Sequence, residues 1–158
     1  MLSKLVNILE NLNACHKSIK WLSGVDNIQQ AWGQCEKGDW LLWVLAKLEA
    51  DRKKIVLSAC VCARISLKFN SDERVLYAIE TAEAWTRDEA TLADLDRATW
   101  AARAAAWAAA SEAAAWAAGA AAREDTLKQC ADIVRLHFSL NEVSVLVKNY
   151  LSNLDKQV

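Results

Sequence analysis

The side chains that could do chemistry in this 158-residue chain are five cysteines, two histidines and twenty acidic residues. Cys60 and Cys62 suggest a metal or redox pair until helical geometry is applied. At about 100° per residue they point about 200° apart on one helix and cannot chelate one ion together. His16 and His137 stand apart, neither in a ligand spacing such as H-E-x-x-H. Cys35, Cys60, Cys62 and Cys130 therefore read as small buried hydrophobes, and neither metal nor cofactor is expected. Glu80 and Glu83 share a helix face and could serve as acid and base, but structural ion pairs outnumber catalytic ones, so they read as partners for Arg64, Arg87 or a lysine. No nucleophile elbow, phosphate-binding glycine loop or dinucleotide fingerprint is present, and four glycines could not build one. No catalytic residue is assigned, and the chain is not expected to be an enzyme.

Tryptophan is the other unusual resource, with eight in the chain. Three of them, Trp100, Trp107 and Trp116, punctuate a run from Ala98 to Ala122 that is otherwise mostly alanine. Alanine has the highest helix propensity but cannot fill a core, so this run predicts a long helix acting as a spine for its neighbours. On a helical wheel Trp107 lies within about 20° of Trp100, whereas Trp116 lies about 160° away. The Trp116 side is a seam of small residues suited to close packing. Trp100 and Trp107, flanked by Arg97, Arg103 and Ser111, are either further core or, if exposed, a binding face, because tryptophan and arginine concentrate binding energy at interfaces. On the second reading Trp100, Arg103 and Trp107 form the partner-binding centre.

Composition bounds the rest. The length suits one domain with a core that needs no disulfide. There is no proline and the net charge is −1, which predicts long helices and disfavours nucleic acid as a partner. An odd number of cysteines, with Asn7, Glu10 and Asn11 interrupting any secretory apolar region, implies reduced thiols and a cytoplasmic location. Glu112 in the alanine run argues against a transmembrane helix.

Apolar periodicity predicts one amphipathic helix from Leu2 to Leu22 capped by Gly24, and a short helix opened by Asp26 with Gln29. A third helix starts at Asp39 and a nearly all-apolar fourth spans Ile55–Leu67. Arg64 is the anomaly of that fourth helix. A buried guanidinium requires an acid, for which Asp39, Glu80 and Glu83 are available and Asp39 or Glu80 is favoured. Asn70 with Glu73, Thr91 with Asp94 and Ser139 with Glu142 have the spacing of helix caps. A helix unbroken from Thr91 to Phe138 would outrun a domain of this size, so a break is expected between Gly119 and Asp125. The expectation is an all-α single domain, 1–158, of seven or eight helices around a long alanine-rich helix.

The stretch AWGQCEKGDWLLWVLAKLEADRKKIVLSACVCARI, Ala31 to Ile65, resembles the immunity-protein family associated with bacterial polymorphic toxin systems and also met in phage genomes. AIETAEAWTRDEATL from Ala78, the alanine run and CADIVRLHF from Cys130 resemble its later landmarks in the same order. The likeness covers about residues 31–138 and leaves extra helices at 1–24 and 141–156. The family more often has tyrosine in the alanine run and a proline after the fourth helix, whereas this chain has tryptophan and no proline. The resemblance implies a compact helical fold, a scaffold role for Trp32, Cys35, Gly38, Asp39, Trp40, Trp43, Arg64, Glu80 and Trp85, and binding and neutralisation of a cognate toxin. No active site is implied. The alternatives are a phage-encoded inhibitor of a bacterial defence complex and a self-associating structural or assembly protein. The partner is expected to be a protein, with no membrane involved, and the chain a monomer or homodimer.

Overall fold

In the computed structural model the described residues are 2–67, 72–97, 116–154 and 156. They form α1 (Leu2–Asn11), α2 (His16–Leu22), α3 (Ile28–Gln34), α4 (Gly38–Lys47), α5 (Arg52–Ser66), α6 (Glu73–Thr86), α7 (Trp116–His137) and α8 (Leu140–Leu154), with a short helical segment over 92–97. No strand occurs among the described residues, so the all-α expectation holds. Asn70 and most of the alanine run, residues 98–115, lie outside them.

The predicted first helix is two. It breaks at Asn13, whose φ of 57° is left-handed. Around it the amide of Ala14 donates to Leu9 O and that of Asn13 to Glu10 O, both at 2.9 Å. This is the Schellman arrangement, with asparagine in the place usually held by glycine. Apolar periodicity runs through the break and so does not reveal it. Glu49 and Asp88, at φ 57° and 62°, end α4 and α6 by the same pair of bonds. Gly24, expected to cap the first helix, has no positive φ, and Ser23 is the cap of α2. At α3 the predicted cap shifts by one residue. Asn27 accepts from the Gln30 amide at 2.9 Å, while the Gln30 side chain accepts from Asp26 N at 2.8 Å. The Thr91–Asp94 and Ser139–Glu142 boxes form in both directions, each side chain accepting from the other's backbone amide.

α7 runs without a break through 119–125, where the sequence predicts one. A single glycine costs a helix only about 1 kcal/mol, and nothing else from Arg123 to Asp125 is incompatible with one. α4 and α5 both pack on α7, α6 packs on α5, α1 on α2 and α3 on α8. Leu45, Ala131, Val134 and Phe138 are fully or almost fully buried where α4 meets α7.

Gly38 makes the first contact possible. A β-carbon there would lie 2.5 Å from Cys130 Cβ and 2.8 Å from Ala131 N, so only glycine lets the start of α4 touch the α7 backbone. Arg135 makes a second contact. From α7 its Nε donates to Trp32 O at 2.8 Å and its second nitrogen to Cys35 O, satisfying carbonyls left open at the end of α3, while Nη1 meets Asp132 at 2.9 Å.

Arg64 departs from its predicted setting. It is exposed, a heptad from exposed Leu57, because α5 keeps an outward edge despite its apolar composition. Its partner is Glu83, in a bidentate pair at 2.6 and 2.7 Å, and neither Asp39 nor Glu80 takes that place. Glu80 is exposed on α6, and Asp39 is exposed on α4, beside a pocket.

Candidate functional site

Four helices and the edge of a fifth enclose that pocket. α1 and α2 form one wall, because the turn at Asn13 folds α2 back on α1. α3 and α4 supply further lining, and Val143 and Val147 of α8 complete it. The cavity measures about 510 Å³. Its surface is dominated by indole and aliphatic carbon, with Trp21, Trp32, Trp40 and Trp43 all among the lining residues. Trp32 is buried, while Trp21 and Trp40 are partly buried against the core and meet edge to face, ring centroids 6.3 Å apart at 64°. Such a pair adds about 0.5–1.5 kcal/mol beyond the area it covers, which fixes the position of α2 relative to α4.

Asp39, Cys15 and Cys35 are the ionisable side chains of the lining. Cys15 is exposed and its thiol is shifted to lower pKa, first by a hydrogen bond with the Ser18 hydroxyl, Sγ to Oγ 3.4 Å. Cys35 moves the other way because burial disfavours its thiolate. Asp39 shares the lining with both thiols, and its charge acts on each in the raising direction. Burial also pushes Cys60 to about 11 and Cys62 to about 12, the latter reinforced by Cys130 beside it on α7. Thiols held this high are poor nucleophiles at neutral pH, in agreement with the small-hydrophobe reading of the sequence.

A serine–histidine contact also forms that no spacing announces. Ser58 Oγ and His137 Nδ1, 79 positions apart, are 2.7 Å from each other. Ser58 is fully buried and its hydroxyl donates to Lys54 O at 2.8 Å, which makes His137 Nδ1 the donor in the pair. A hydroxyl so placed cannot meet a substrate; the contact ties α5 to α7. Among the described residues no group of three or more metal-ligating side chains is gathered. Nor is any helix there long and apolar enough to cross a membrane.

Of the site residues read from sequence, Trp100, Arg103 and Trp107 lie outside the described residues. Arg64, Asp39 and Glu80 are not brought together: Asp39 is at the pocket, and Arg64, on the surface, pairs with Glu83. The pocket itself escaped sequence reading because its residues come from five helices, each with an ordinary apolar stripe. Arg135 escaped because it is one arginine within an amphipathic pattern. Compared with protein-family models, with curated proteins and with solved structures, the chain matches none.

Proposed function

We propose that the protein is a non-enzymatic inhibitory binding protein of the immunity type, which neutralises a cognate toxin in the cytoplasm by occluding its surface. The observation that supports this reading is the meeting of the sequence landmarks. Arg135, from CADIVRLHF, holds the carbonyls of Trp32 and Cys35, from AWGQC, and Gly38, from GDWLLW, lies against Cys130 and Ala131. Segments a hundred residues apart that resemble one family in its own order also build one core. The pattern therefore reads as a scaffold, which leaves recognition to surfaces outside it. Trp100, Arg103 and Trp107 are the proposed centre of that recognition, on the wheel argument from sequence.

Co-expression with the product of the adjoining gene tests the reading. Growth arrest caused by that product should be relieved by this protein, and the two should copurify. Arrest that continues unrelieved, with no complex formed, overturns it. For the proposed contact face, Trp107→Ala should melt near the wild type yet bind about 30-fold more weakly, as for loss of about 2 kcal/mol at a hot spot.

A further inference from the structure

The pocket has a chemistry of its own, apart from any partner face. Its volume of about 510 Å³ lies within the range of about 300–1,000 Å³ usual for small-molecule sites. Among the described residues its lining includes no lysine, arginine or histidine, and Asp39 is the one carboxylate there. The cations whose charge reaches Cys35 are engaged elsewhere: Lys37 faces Glu124 at 3.8 Å, and Arg135 is committed to Asp132 and to the carbonyls at the end of α3.

An apolar chamber with a single negative group selects its occupant by charge. An anionic head would lose water and meet a carboxylate, with no cation among the described lining residues to compensate it. A cationic head gains the attraction of Asp39, and the tryptophan faces favour a partly desolvated ammonium over a neutral group. Trp43 already carries a cation over its ring, with Lys47 Nζ 5.9 Å from the centroid. We propose that the pocket binds a small organic cation, an amine or quaternary ammonium on an apolar body, with the body among the tryptophans and the charge at Asp39.

Three probes of equal chain length test it: decyltrimethylammonium, decanol and decanoate, each added below its micelle concentration. Binding is followed by tryptophan fluorescence and by the rate at which Cys15, at the same pocket, reacts with a neutral thiol reagent. The expected result is saturable binding of one decyltrimethylammonium per chain, at least tenfold tighter than decanoate, with slowed labelling of Cys15. Asp39→Asn should abolish the preference for the ammonium over decanol while changing the affinity for decanol less than twofold. Decanoate binding as tightly as the ammonium, no saturable binding by any probe, or binding that leaves Cys15 labelling unchanged would each overturn the proposal. So would an Asp39→Asn protein with a native melting curve that keeps the preference. Should that variant fail to fold, the ranking of the three probes on the wild-type protein decides.

Discussion

Cys15 is the accessible thiol among five, since Cys35, Cys60, Cys62 and Cys130 are buried. With its thiolate favoured by Ser18 and those of Cys35, Cys60 and Cys62 disfavoured by burial, a disulfide reagent such as dithionitrobenzoate should modify one thiol per native chain rapidly. Cys15→Ser should remove that fast phase, and two or more fast thiols would contradict the packing described. Glu49 carries a backbone conformation that suits its side chain poorly, because a left-handed residue other than glycine costs about 1 kcal/mol. Glu49→Gly should raise stability by about that amount in thermal or denaturant melts. Asn13→Gly should gain less, since asparagine tolerates the conformation. Such positions are hard to read from sequence, because a glutamate within a helical pattern carries no sign of a reversal in backbone handedness. The Thr91 and Ser139 caps were legible for the opposite reason: the bond depends on two side chains at a fixed spacing.

At the level of elements, most of the helices could be read from periodicity, caps and the lack of proline, but their ends and meetings could not. The spot where α4 touches α7 depends on the absent side chain of Gly38. Gly38→Ala should destabilise the fold by about 1–3 kcal/mol, since the atoms it would strike belong to backbone as well as to Cys130 Cβ. A melting temperature equal to the wild type would show that the two helices do not approach so closely. Arg135 fastens α3 to α7 through two charge-assisted bonds to carbonyls. Arg135→Ala should cost about 2 kcal/mol, and Arg135→Lys should recover only part of it, because an ammonium lacks the planar fork that spans both oxygens. Equal stability of the lysine and arginine forms would argue against the two-carbonyl grip. The expected burial of Arg64 shows the limit of composition. Apolar residues around most of a helix do not say which edge the fold leaves in water.

For the molecule as a whole, acid sensitivity has an identifiable source in Glu142. The Lys54 ammonium, 2.6 Å away, and the Ser139 amide and hydroxyl hold its pKa at about 2, below the ordinary 4.5. A carboxylate with a depressed folded pKa contributes stability that is complete above its unfolded pKa and disappears as pH falls through the folded one. The loss therefore runs from about pH 4.5 down to about 2. Glu142→Gln should flatten that limb of a stability–pH curve while lowering the neutral plateau, and an unchanged slope would assign acid unfolding to other groups. The all-α class was legible from composition, whereas a pocket made from five helices becomes visible only once their packing is known. The central position of α7 also sets a schedule for biosynthesis. The faces of α4 and α5 that α7 covers are translated about 70 to 100 residues before Phe138. At about 5–20 residues per second, they wait roughly 4–20 s on the ribosome for the element that covers them. During that interval the face of α4 that carries Leu45 is exposed to chaperones, and a ribosome stalled anywhere in the alanine run would release a chain that cannot complete its core.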